Sequence, residues 1–242
     1  MQDAQVGDRV RTQDATYATV YAFGHREPET TASFLQFHLE GEAAAPLEIT
    51  ADHLLLKAGE ATPVPASTIQ MGDSLILADG ATAKVSNVER VTRKGIYAPL
   101  STSGYLAVNN VVTSSYVTAQ EHAGYVMFGA FPSPVSWHWV SHAFQAPHRL
   151  WCSAVSCKEA GGTPFQLDLI HWVSYWTSSE RSAWVRYFVV PVATVPTVMV
   201  LAALQAIEYG LQHPLTLLVT LSAAVVISMQ AKLNPKVKQL VA

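Results

Sequence analysis

One repeat constrains this chain more than any other feature. "GDRVRTQDATYATVYAFGHR", from Gly7, and "GDSLILADGATAKVSNVERV", from Gly72, align at an offset of 65 residues. Gly7/Gly72, Asp8/Asp73, Asp14/Asp79, Ala18/Ala83 and Val20/Val85 coincide, while Val10/Leu75 and Phe23/Val88 keep their apolar character. Gly-Asp is a turn signal ahead of a strand, and Asp-Ala-Thr against Asp-Gly-Ala marks the hairpin turn that follows. Shared hairpin chemistry alone would give such matches. The sharper reading is two pseudo-symmetric β subdomains built from one ancestral unit. The segments around the repeat agree with it: "ASFLQFHLEG", "PLEIT" and "YLAVNNVVT" are short, β-branched and aromatic, and are punctuated by Gly, Asp, Asn and Pro. Up to about residue 118 the pattern is that of an all-β domain.

Near residue 120 the composition changes. "SPVSWHWVSHAFQAPHRLW" spaces Trp137, Val140, Phe144, His148 and Trp151 three to four apart, predicting one face of a single helix. All six tryptophans lie between residues 137 and 184. Rings with one polar edge favour a membrane interface, although an aromatic core gives the same count. Residues 187–207 and 209–231 are two uncharged runs of 21 and 23 residues, each long enough to cross a bilayer core, joined near "EYGLQH". Arg181 and Arg186 precede the pair and Lys232, Lys236 and Lys238 follow it, the flanking expected of a hairpin with both ends cytoplasmic. A buried α-hairpin packed on the β-domain is the alternative. Across the whole chain 14% of residues are charged and 50% apolar, with mean hydropathy +0.19. Soluble domains carry about 25% charge, so contact with lipid is expected. A net charge of −3 and the lack of a basic cluster argue against a nucleic-acid surface.

"EITADHLLL" sets Thr50 and His53 inside a run that otherwise reads as a buried strand. Residues three apart on a strand point to opposite faces, so the pair converges only where the strand ends or turns. A hydroxyl and an imidazole brought together can polarise an amide and move a proton, the work of acyl transfer. A histidine in a strand is more often a hydrogen-bonded core or surface residue. Cys152 and Cys157, the only cysteines, suit a chance pair or one local bridge better than a metal site. His138 and His142 stand four apart without a glutamate motif or third ligand, which reads as interfacial polarity rather than a metal site. "MQDAQVGDRV" lacks a signal-peptide pattern, so the chain is expected to be intracellular or to lack its natural start.

Taken together, "VGDRV", "ITADHLLL", a second Gly-Asp before a strand, and "APLSTSGYLAVNNVVTSSYV" stand in the order found in hedgehog-type proteins. The chain resembles their Hint autoprocessing domain over residues 4–118. The last stretch is the most distinctive, since family members carry an APLT-x-x-G-T segment that ends in SCYA. "HAFQAPHRLW" and "IHWVSYW" look like the sterol-recognition extension. The resemblance implies a mainly β, pseudo-two-fold horseshoe over 1–118, an aromatic helical region over 119–186, and a membrane hairpin with a basic tail over 187–242.

The resemblance also implies a two-step reaction. A cysteine at the start of the domain makes an internal thioester with the preceding carbonyl, and a sterol hydroxyl then takes the acyl group. Thr50 and His53 match the family's T-x-x-H pair: His53 would protonate the leaving nitrogen, and Thr50 would hold the scissile bond polarised. His25 in "AFGHRE" matches the position of the general base on the sterol, a role suited to an imidazole at neutral pH. Trp137, Trp139, Phe144, Trp151, Trp172 and Trp176 are the candidate sterol or membrane contacts. The implied partners are the upstream segment of the same precursor, a sterol and a membrane of the endoplasmic reticulum or secretory pathway, with no cofactor and no nucleic acid. Two departures stand out. The family's nucleophilic cysteine has no counterpart here, and Ser115 replaces the SCYA cysteine. The chain alone is therefore expected to be inactive, as a precursor lacking its N-terminal part or as a degenerate domain; retention of Thr50, His53 and His25 favours the first. A membrane-anchored, non-catalytic module and an intein-like splicing domain are the alternatives. Splicing needs a terminal His-Asn, and Asn109 and Asn110 are not preceded by histidine.

Overall fold

The computed structural model describes residues 1–41, 45–120, 122–154, 184, 190–214, 216 and 222–224. The strands are β1 (Arg9–Arg11), β2 (Tyr17–Leu39), β3 (Leu47–Ile49), β4 (His53–Leu55), β5 (Val64–Pro65), β6 (Ser74–Ile76), β7 (Thr82–Ser101), β8 (Tyr105–Val108), β9 (Val111–Val117), β10 (Tyr125–Phe128) and β11 (Phe131–Ser136). The helices are α1 (Trp137–Phe144), α2 (Ala146–Ala154) and α3 (Val190–Gln212). One sheet runs β1-β2-β7-β6 with β3 paired to β2. A second runs β5-β4-β9-β8, and β10 and β11 form a separate hairpin. The fold is mainly β, as the sequence pattern requires.

The 65-residue repeat is carried atom for atom in the backbone. Gly7 and Gly72 both sit at positive φ, +99° and +95°, where a side chain would be strained. Their N–H groups donate to Val20 O and Val85 O, each at 2.8 Å. Asp8 and Asp73 each accept from the N–H three residues back, Gln5 and Gln70, both at 2.9 Å. Arg9 pairs with Thr19 as Ser74 pairs with Lys84, and Arg11 with Tyr17 as Ile76 with Thr82. The repeat is thus structural, and the two copies meet through their long strands, β2 against β7. Phe37, Leu47, Leu55, Leu75, Val85 and Val111 fill the core between them.

After residue 118 the structure departs from the sequence reading in three ways. Residues 125–136, expected to be helical, form a hairpin that turns at Gly129, where φ is +62°. The single helix expected through Trp151 is broken at Gln145 into α1 and α2; Pro147 lies in the first turn of α2, where its missing N–H costs nothing. Trp137 does not face lipid. It is 3% exposed and packs with Leu54, Ala119 and Val126, so packing is continuous across the expected boundary at 118/119.

The first expected membrane span falls on α3, but the helix continues to Gln212. Glu208, expected in the connection between two spans, lies within it. Residues 194–212 are long and apolar enough to cross a membrane by length and composition, and they are mostly exposed. The second expected span lies largely outside the described residues, as do Trp172 and Trp176.

Candidate acyl-transfer cleft

Strand β3 ends at Ile49, and the chain turns through Thr50-Ala51-Asp52 before β4 begins at His53. The His53 N–H donates to Thr50 O at 3.1 Å and closes the turn. Two further bonds pin it: Ser67 N–H to Ala51 O and Thr118 N–H to Asp52 O, both 2.9 Å. This is the strand end that convergence of Thr50 and His53 requires. Both line a cleft of about 420 Å³, together with His25, Thr113, Ser115, Thr118 and the first residue, Met1.

His25 reaches the cleft through an irregularity in the β2/β7 ladder. Phe23 pairs with Pro99 and Arg26 with Tyr97, so Gly24 and His25 oppose Ala98 alone. An extra residue of this kind re-aims a side chain. His25 is 37% exposed, and its Nδ1 lies 3.2 Å from Glu27 Oε1. The cleft therefore gathers all three polar residues singled out in the sequence.

His53 is half-buried, and its Nε2 lies 3.1 Å from Ser114 O. A carbonyl only accepts, so Nε2 carries the proton and Nδ1 keeps its lone pair. Burial pulls the His53 pKa down to about 4, against the Ser114 hydrogen bond, which favours protonation; the positive charge of a protonated His25 adds to the lowering. At neutral pH the ring is an uncharged acceptor at Nδ1. Ser115, at the position of the SCYA cysteine, is buried, and its Oγ accepts from the Ser101 N–H at 3.2 Å. No described cysteine lines the cleft. Cys152 is disulfide-bonded and packs on α2 against Tyr21 and Tyr116, while Cys157 lies outside the described residues.

Three residues near the site were not read from the sequence: Ser114, Arg149 and Glu208. Arg149 on α2 donates from Nε to Glu208 Oε1 (2.7 Å) and from Nη2 to Glu208 Oε2 (2.5 Å), and both side chains are buried. The partners stand 59 residues apart, which no local pattern reveals. His138 is buried rather than interfacial, and His142 is half-buried. Among the described residues no group of three His, Cys, Asp or Glu side chains could hold a metal ion. Of the remaining aromatic candidates, Trp139 and Phe144 are half-buried on α1 and Trp151 is 64% exposed on α2.

A duplicated β unit whose Thr-x-x-His turn lines a cleft beside the paired long strands defines a small two-fold-repeated β module. The family model for the Hint module matches residues 1–179. The chain belongs to the Hint family. It is similar to Warthog protein 8 of Caenorhabditis elegans, 29% identical over 141 residues, covering 50% of this chain and 25% of that protein. Protein hedgehog of Drosophila erecta is 31% identical over 127 residues, covering 47% of this chain and 27% of that protein. The chain thus spans about a quarter of the length of these relatives. Among solved structures, the gp41-1 intein is 17% identical with a TM-score of 0.39, covering 46% of this chain and 83% of that one. The bacterial intein-like domain from Clostridium thermocellum is 18% identical with a TM-score of 0.37, covering 47% and 85%. At these TM-scores the likeness is distant.

Proposed function

We propose that this Hint module carries out hedgehog-type autoprocessing: cleavage of an upstream peptide bond through an internal thioester, followed by transfer of the acyl group to a sterol. The observation that carries this reading is the cleft itself, which Thr50, His53 and His25 line together with Met1. A peptide entering from upstream of Met1 would reach these groups without leaving its own chain, which supplies proximity directly.

The sulfur comes from a cysteine in the upstream segment. Its Sγ attacks the scissile carbonyl carbon, the C–N bond breaks, and a thioester forms as the amine leaves. His53 Nδ1 takes the thiol proton and passes it to the departing nitrogen. The low His53 pKa makes its protonated form a strong acid for that transfer. Thr50 polarises the scissile carbonyl. In the second step a sterol hydroxyl attacks the thioester, His25 accepts the hydroxyl proton, and the thiolate leaves.

Location at a membrane of the secretory pathway belongs to this reading. Val192, Val195, Met199, Val200, Ile207 and Leu211 of α3 are exposed, a surface suited to lipid. The bonded state of Cys152 suits an oxidising compartment. In a precursor extended upstream with a cysteine-led segment, His53→Ala abolishes cleavage by thiol and by sterol. His25→Ala keeps thiol cleavage and loses sterol transfer. Wild-type behaviour of both variants would remove these roles.

A further inference from the structure

Strand β9 separates two polar clusters. Thr113, Ser115 and Val117 line the cleft, and strand alternation sends Ser114 and Tyr116 to the other face, both fully buried. There Ser114 Oγ accepts from the Tyr116 N–H at 3.0 Å and is hydrogen-bonded to His138 Nδ1 at 2.9 Å. The His138 ring stacks on Tyr105, with centroids 4.2 Å apart. His142, one turn further along α1, reaches the Tyr116 hydroxyl through Nδ1 at 3.0 Å. Arg149 donates to the His142 carbonyl at 2.6 Å and clamps Glu208, joining α2 and α3 to the same cluster. Gly104 leaves the room this needs: a Cβ there would lie 2.7 Å from His142 Nδ1 and 3.2 Å from His138 Cε1.

Ser114 belongs to both clusters. Its carbonyl takes the His53 Nε2–H, and its hydroxyl is held by His138. His53 pairs with Val117 and Leu55 with Thr113, so Ser114, Ser115 and Tyr116 oppose Leu54 alone. Regular ladder bonds to β4 are interrupted in such a stretch, so the Ser114–Ser115 peptide is held from one side by the Ser115 N–H bond to Gly104 O at 2.8 Å and through the Ser114 side chain by His138.

We infer that His138 is a positioning residue for His53: by holding Ser114 within the bulge it keeps the Ser114 carbonyl aimed at Nε2, so docking of the helices on the back of β9 fixes the His53 tautomer in the cleft. The inference deepens the proposed reaction and rests on His53 as its proton carrier. Burial first, then the Arg149 charge, pushes the His138 pKa down to about 4, so its neutral, hydrogen-bonded form persists at neutral pH. The titratable groups around the cleft are His25 on β2, Glu48 on β3, Asp52 in the turn and Tyr97 on β7; His138 acts from behind β9.

The test is long-range 1H–15N NMR of the histidine rings in the full 242-residue chain, comparing wild type with His138→Phe and Ser114→Ala. Phe keeps the stacking surface and removes Nδ1, while Ala keeps the carbonyl and removes Oγ. In the wild type His53 shows the Nε2–H tautomer and a midpoint of about 4. In each variant a mixture of tautomers is expected, with the midpoint shifted below that of the wild type, because the Ser114 carbonyl that favours the protonated ring is no longer aligned. An unchanged His53 tautomer and midpoint in a variant that keeps its amide spectrum overturns the inference; if His138→Phe does not fold, Ser114→Ala decides. These spectra need no cleavage, so the two ideas fail separately. A precursor that never cleaves removes the reaction and leaves the coupling standing, whereas unchanged spectra beside normal cleavage remove the coupling alone.

Discussion

His53, His138 and His142 are held neutral by burial, with pKa values drawn down to about 4, about 4 and about 3. The unfolded chain protonates them nearer 6.5, so between these limits the unfolded state binds more protons and stability rises with pH. Their contribution is fully present above about pH 6.5 and is lost as pH falls toward 4 and 3, on the order of a few kcal/mol for the three together. Urea midpoints measured from pH 7 to pH 4 should fall steeply, and less steeply in His138→Phe; a flat profile would contradict the burial argument. Arg149→Met leaves Glu208 charged and buried, at a cost of about 3–5 kcal/mol. The double variant Arg149→Met/Glu208→Leu should cost less than the single one in a double-mutant cycle of denaturation midpoints. Thr50 and His53 were legible in the sequence because a polar pair among leucines is locally anomalous. Ser114, His138 and Arg149 were not, since their roles come from partners 24 to 61 residues away.

Strand β9 does the most at the scale of elements, presenting the cleft on one face and the helix-binding cluster on the other. Gly104 beside it is fixed twice over, by φ +77° and by the close approach of His142 and Tyr116. Gly104→Ala is expected to destabilise the chain by about 1–3 kcal/mol in chemical denaturation, and little change would mean that the imidazoles move aside freely. The repeat made the β half readable, because each copy carries its own Gly-Asp turn and the same pairing follows from it. The β10–β11 hairpin is masked in the sequence by the helical signal that starts at Trp137, although "MFGAF" has glycine between aromatic residues. The break at Gln145 is hidden because the aromatic spacing runs through Pro147 unchanged. Tertiary burial also overrode periodicity at Trp137, which the core claims.

For the whole molecule, the proposed function assigns acyl transfer to the cleft of the β module and lipid contact to the exposed residues of α3. Val195→Lys and Met199→Lys, both on exposed positions of α3, should release the chain from vesicles into the soluble fraction in flotation assays while leaving the denaturation midpoint near wild type. Retention on vesicles would place the lipid contact elsewhere. The central claim is that the Thr50, His53 and His25 cleft opens an upstream peptide bond through a thioester. The most direct measurement is the intact mass of a precursor, extended upstream with a cysteine-led segment, after incubation with sterol or with hydroxylamine. The account predicts release of the upstream segment as its sterol ester in the first case and as its hydroxamate in the second, with neither product from His53→Ala. An unmodified, uncleaved precursor under both conditions would contradict it.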